Sequence, residues 1–133
     1  MNFINGVLEK KDGKLYFTFE GVSVKLPDEK ANAPELADYI GKEVVVGVRP
    51  EGISDEAAAV EAHPDTVIDV DVDVIELMGS EIHLYLLIGE TRLIAKVSAR
   101  SQSRGGDKIK VALDMTRLHI FDKDTERCIM HLQ

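Results

Sequence analysis

Residues 68–79, IDVDVDVIELMG, place carboxylates at Asp69, Asp71 and Asp73. Calcium loops begin with this spacing, because alternate side chains of a tight loop converge on one hard cation. Such a loop also needs Gly at its sixth position and Glu at its twelfth, and those positions hold Val74 and Ser80. The intervening Ile68, Val70, Val72 and Val74 are β-branched and two apart, so in an extended chain they share one face while the acids share the other. The stretch reads as a half-buried strand whose acids form a solvated face that blunts edge pairing, with no metal site.

Other chemistries fail on spacing. No stretch matches the phosphate-cradling G-x-x-x-x-G-K-[ST], since Gly41-Lys42 runs on into Glu43. GSEI and SARSQSRGG lack the G-x-S-x-G turn that exposes a serine nucleophile. Cys128 would need His119 or His131 as its base, but in a strand-like tail Cys128 and His131 fall on opposite faces. Cys128 therefore reads as a small buried apolar residue. His63, His83, His119 and His131 are scattered without the paired spacing of a zinc site, and His83 reads as a structural residue within a strand. Five cations, Lys96, Arg100, Arg104, Lys108 and Lys110, gather around Gly105-Gly106. Without any Phe, Tyr or Trp between them they read as a solvated loop rather than a single-strand binding groove.

The elements that must position these residues are mostly strands. Alternating or β-branched runs occur at 14–19, 22–26, 43–48, 66–75, 81–88, 91–98 and 108–113. KKDGK at 10–14, FEGV at 19–22 and IGET at 88–91 are hairpin turns, so the sheet is mostly antiparallel. Two short helices are predicted: PELADYIG, with Pro34 in the first turn and Gly41 as the stop, and SDEAAAVEAH, capped by Ser54 or Asp55. Many brief strands with few helices describe an all-β fold with minor α content, an OB-type β barrel arrangement. The chain is read as one region over 1–133, or as two coupled β units of about 1–53 and 64–133, divided by the composition shift between Ser54 and Pro64.

A chain of 133 residues with 44% hydrophobic content can bury one core. Its formal net charge of −8 argues against nucleic acid as a partner. A single cysteine suits a reducing, cytoplasmic setting, and no apolar run reaches the length of a bilayer span.

Four phrases in order carry a resemblance: MNFINGVL at the start, VVVGVRPEGI at 44–53, VIELMGSE at 74–81 and LHIFDKDT at 118–125. Together they resemble the C-terminal regulatory region, the transport-associated OB (TOBE) or MalK-like region, of the ATP-binding subunits of bacterial carbohydrate ABC importers of the maltose and multi-sugar type. The resemblance covers nearly the whole chain. It implies a non-catalytic regulatory and dimerisation domain. In that family ATP and Mg belong to a preceding ATPase domain, whose P-loop, signature motif and catalytic Glu do not occur in this sequence, so no cofactor is expected here.

The resemblance further implies a homodimer, association with its own ATPase domain and through it with membrane-spanning importer subunits, and docking of a regulatory signalling protein in some members. The intact complex would sit on the cytoplasmic face of the membrane. It assigns Arg49, Pro50 and Glu51 to a turn between barrel strands, Glu76 and Gly79 to the bend after the acidic strand, and His119, Phe121 and Asp122 to an interface segment near the C-terminus. Family members commonly place Gly where this chain has Glu126, so a different turn is expected there. A second reading is a small-anion sensor, because related OB regions in molybdate-type importers bind oxyanions. Only SQSRGG at 101–106 offers the amides and hydroxyls such a site needs.

Overall fold

A computed structural model describes residues 1–131, with the backbone alone described at His131. Among the described residues eleven strands form two antiparallel sheets that curl around one shared core as a nearly closed barrel-like assembly. Strands β1 (Asn2–Lys11), β2 (Lys14–Phe19), β3 (Val22–Lys25) and β4 (Glu43–Val48) belong to the first sheet. Strands β5 (Ile53–Ser54), β6 (Val67–Leu77), β7 (Glu81–Ile88), β8 (Thr91–Ser98) and β9 (Lys108–Leu113) form the second, in the order β5-β9-β6-β7-β8. Two late strands, β10 (Leu118–Asp122) and β11 (Cys128–His131), return to the first sheet, whose order is β11-β10-β4-β1-β2-β3.

Period-two patterning explains most of this. In β7 the residues Ile82, Leu84, Leu86 and Ile88 are buried while His83, Tyr85 and Leu87 between them are half-buried on the other face. The hairpin turns use Asp12-Gly13 and Glu20-Gly21, each pair at positive φ, as the predicted two-residue connections require. Strand β1 is absent from the sequence expectation because Gly6 interrupts its pattern. A Cβ there would lie 2.5 Å from the Thr18 carbonyl oxygen and 2.6 Å from the Phe17 ring, so glycine is required by space.

The acidic strand departs from expectation in two ways. It lies between β9 and β7, not at an edge, so its acids do not blunt edge pairing. They meet lysines directly opposite on β9 instead: Asp69 with Lys110 at 2.8 Å and Asp71 with Lys108 at 3.2 Å. Among the described residues no group of His, Cys, Asp or Glu could hold a metal ion.

The second departure is a bulge at Asp73, where the register with β7 shifts between Val72 and Val74. Val74 consequently does not share the face of Ile68, Val70 and Val72. It turns outward, 52% exposed, and Ile75 packs against the core in its stead. The glycine loop holds the bulge: Gly106 N–H donates to the Val72 carbonyl (2.7 Å), and Val72 N–H donates to that of Asp107 (2.8 Å).

Helix α1 (Pro34–Ala37) begins at Pro34 as expected. Helix α2 (Ala57–Ala62) starts later than its sequence suggests, with Glu56 at the N-cap and no side-chain cap. Ser54 lies in β5, where its hydroxyl accepts from Glu56 N–H, and Asp55 is engaged elsewhere. No described helix is long and apolar enough to cross a membrane.

Candidate functional site

Strand β10 carries three of the residues singled out from the sequence. Its inner positions Leu118 and Ile120 are buried against β4, so His119 and Phe121 face outward. Across the outer face of the first sheet, Phe3 and His119 both pair with Gly47. Phe121 meets Phe3 edge-on with ring centroids 5.9 Å apart and stacks on His119 at 6.0 Å. Gly47 is the floor of this aromatic group, since a Cβ there would come 2.6 Å from the Met1 sulfur and 3.1 Å from the Phe121 ring.

Asp122 ends β10 as the acceptor of a small network. The Tyr39 hydroxyl donates to its Oδ2 at 2.7 Å, and the backbone N–H groups of Asp124 and Thr125 donate to Oδ1 at 2.9 and 2.8 Å. The Thr125 N–H foremost, followed by the Tyr39 hydroxyl, holds the Asp122 carboxyl below its ordinary value of 3.8. The same hydrogen bond is the main reason that Tyr39 is raised above 10.0, because losing its proton would set an anion against the carboxylate.

The signs give two windows. Asp122, depressed when folded, contributes stability that is full above the ordinary carboxylate range and is lost as pH falls through the folded value. Tyr39, raised when folded, contributes below pH about 10 and loses that contribution as pH rises through its folded value. In urea unfolding, Tyr39→Phe is therefore expected to destabilise the protein at pH 7 and to differ less from the parent at pH 3. An equal difference at both would refute the link.

Glu126 lies in the turn beyond Asp122. It takes the left-handed geometry at φ 62, its N–H donating to the Asp122 carbonyl at 2.9 Å and Asp122 N–H donating to that of Arg127 at 2.8 Å. A non-glycine residue in this left-handed position carries strain in its backbone. Glu126→Gly is expected to raise stability by about 0.5–1 kcal/mol in denaturant melts, the relief of a side chain at positive φ net of glycine's added unfolded-state freedom.

Arg49, Pro50 and Glu51 lie on the 3-10 turn that follows β4 and carries the chain into the second sheet. Gly52 N–H donates to the Arg49 carbonyl, and Asp114 N–H donates to that of Gly52 (both 2.8 Å). Because Leu118 pairs with Val48, this turn sits at the same end of the first sheet as the start of β10. Glu76 and Gly79 are elsewhere, at the β6–β7 hairpin of the second sheet. There Glu76 accepts from the Tyr85 hydroxyl at 3.4 Å, and Gly79 takes φ 86 beside the exposed Leu77 and Met78. The motif residues thus mark separate surfaces rather than converging on one cleft.

Three further groups carry their roles only in the fold. The buried Asn2 side chain accepts from Ile94 N–H and donates to the Ile94 carbonyl, both at 2.8 Å, clasping β1 to β8. Tyr39 supports Asp122 across 83 positions. Asp55 receives the hydroxyls of Ser101 and Ser103 at 2.5 and 2.8 Å. Their sequence separations leave no local signal. Asp55 also bears on anion binding, because the serines that would serve an oxyanion already donate to a carboxylate, which would repel one.

The basic segment does not form one free loop: Lys96 pairs with Glu81 at 3.1 Å, Lys108 and Lys110 pair with β6, and Ser103 is buried. His83 lies 3.7 Å from Glu81, in keeping with a structural role. Cys128 is exposed rather than buried: a register shift pairs it with the outward-facing Phe121, whereas Met130 on the same strand pairs with the buried Ile120. The His131 side chain lies outside the described residues.

Residues 1–53 match the MalK OB fold domain, and residues 46–121 match the TOBE domain. Over 126 residues the chain is 40% identical to the oligosaccharides import ATP-binding protein MsmX of Bacillus subtilis, covering 95% of this chain and 33% of that protein. Over 129 residues it is 34% identical to the multiple sugar-binding transport ATP-binding protein MsmK of Streptococcus mutans, covering 97% of this chain and 33% of that protein. The chain therefore spans about a third of the length of these relatives. Among solved structures, the cytoplasmic molybdate-binding protein ModG shares the fold, with a TM-score of 0.63 at 15% identity over 90% of this chain and 94% of that one.

Proposed function

Because the chain belongs to the TOBE domain family and its first 53 residues match the MalK OB fold domain, we propose that it is the regulatory and dimerisation domain of a carbohydrate ABC importer's ATP-binding subunit. The observation that carries this is the 40% identity to the oligosaccharide-import relative along 95% of the chain. The geometry supports it: the motif residues present outward aromatic and hairpin surfaces, as a scaffold needs. In this reading the chain itself is non-catalytic and 1–133 acts as one unit. ATP and Mg are held by an ATP-binding portion outside it, membrane-spanning importer subunits are reached through that portion on the cytoplasmic face, and two copies pair. Regulatory signalling proteins would dock on the same outward surfaces.

The test is a chimera in which this chain replaces the matching third of the Bacillus subtilis oligosaccharide importer ATP-binding protein. Oligosaccharide uptake in cells should persist. A stably produced chimera with no uptake would overturn the reading.

The fold shared with the molybdate-binding protein motivates the second reading, a small-anion sensor. Asp55 stands against it at the serine loop, so calorimetric titration with molybdate or sulfate should give no binding heat; a saturable signal would reverse the preference.

A further inference from the structure

The bulge at Asp73 leaves an ordered outer face on β6, β7 and β8. Cross-strand pairing arranges it in three rows. The middle row is apolar, Val74 opposite Tyr85 opposite Ile94, with Val74 52% and Ile94 37% exposed. Asp71, Leu87 and Arg92 make the row on one side, and Glu76, His83 and Lys96 the row on the other. Read down the strands, β6 is an acidic column around Val74 and β8 a basic column around Ile94. Large exposed apolar residues ringed by charge mark a docking surface.

We propose that this face docks against a second copy of the chain about a two-fold axis running along β7. The inference rests on the pairing of two copies proposed above and supplies the surface. Charge complementarity selects this arrangement. When a face packs on its own copy, the axis lies in the contact plane, and an axis along β7 lays the β6 column over the partner's β8 column. Val74 then meets the partner's Ile94, Asp71 the partner's Arg92, and Glu76 the partner's Lys96. Tyr85 and Leu87, lying on the axis, meet their own copies. An axis inclined by about 15° to β7 would give the roughly 30° crossing at which twisted sheets pack face to face.

The pairs already present do not block this, since the Lys108–Asp71 and Lys96–Glu81 bridges are solvent-accessible and can be shared. Three strands about 4.8 Å apart make a small face, at the low end of specific interfaces, so the isolated chain should pair weakly.

Sedimentation of the chain over a concentration series tests the idea with two charge-reversed variants. One carries Arg92→Glu and Lys96→Glu, making both columns acidic; the other carries Asp71→Lys and Glu76→Lys, making both basic. Each alone should associate at least about tenfold more weakly than the parent, because like charges then face each other. Their equimolar mixture should recover parental association or exceed it. If each variant pairs as the parent does, the face is wrong although pairing itself stands. If the parent stays monomeric throughout, the pairing reading fails for this chain and the proposal with it. Loss in both variants without recovery on mixing would reject the axis.

Should a variant not fold, Tyr85→Cys in a Cys128→Ser background keeps the proposal falsifiable. A thiol on the axis should be joined to its own copy by a short bis-maleimide, and Asn5→Cys, on the other sheet, should not. Equal cross-linking of both, or of neither, would overturn it.

Discussion

Ile120→Ala is expected to lower unfolding free energy by about 2–5 kcal/mol, the range for truncating a fully enclosed isoleucine. Ile120 has 0% exposure and lies between Val46 of β4 and Met130 of β11, its cross-strand partners. With Leu118 and Met130 it is one of the residues by which the last strands enter the common core, so the cavity it leaves is bounded by two paired strands. Such a loss is a large share of the about 5–15 kcal/mol that holds an ordinary domain folded. Denaturant unfolding would show it as a lower midpoint. Ile120→Val, which removes one methylene, should cost only about 0.5–1.5 kcal/mol. An unchanged midpoint for the alanine variant would mean that β10 does not unfold with the rest of the barrel.

Asn2→Ala should cost about 2–3 kcal/mol, combining two net hydrogen bonds of about 1 kcal/mol each with the penalty of leaving polar groups of Ile94 poorly satisfied. Asn2 is buried and serves β8 as a strand would, giving Ile94 both a donor and an acceptor at 2.8 Å. Thermal unfolding should register a drop of about 10 °C for a domain of this size. Asn2→Asp separates the two bonds. Its carboxylate can still accept from Ile94 N–H but faces the Ile94 carbonyl without a proton to share, so the variant should recover stability as acidification supplies that proton. A variant equally stable at every pH would show that the donor half of the clasp contributes nothing.

The parts of the fold that follow from nearest neighbours were legible. Strands β2, β4, β7 and β8 fall where alternation places them, and the Asp-Gly and Glu-Gly turns take the positive φ values their residues allow. What escaped depends on distant chain. The acidic strand's alternation is broken at Asp73 by a loop more than 30 residues later, and nothing in IDVDVDVI announces that loop. The clasp at Asn2 spans 92 positions, the Tyr39–Asp122 bond 83 and the Asp55–Ser103 bond 48. For the site, the LHIFDKDT phrase singled out His119, Phe121 and Asp122 through the resemblance alone; that they lie on a strand, with Phe3 and Tyr39 as company, came only from the fold. Phe3 lies on β1, the strand whose alternation Gly6 interrupts.

The return of β10 to the first sheet has a consequence for how the chain is made. Leu118 pairs with Val48 across roughly 70 residues, so this contact closes a long loop and comes late in folding. While the chain emerges, β1 to β3 can zip through local hairpins, and the second sheet can assemble, yet one edge of β4 stays open with Val44, Val46 and Val48 uncovered beside it. A nascent chain paused before Leu118 therefore offers a bare apolar edge to any other chain in the same condition, and crowded synthesis, not the finished barrel, is where this protein is most exposed to aggregation.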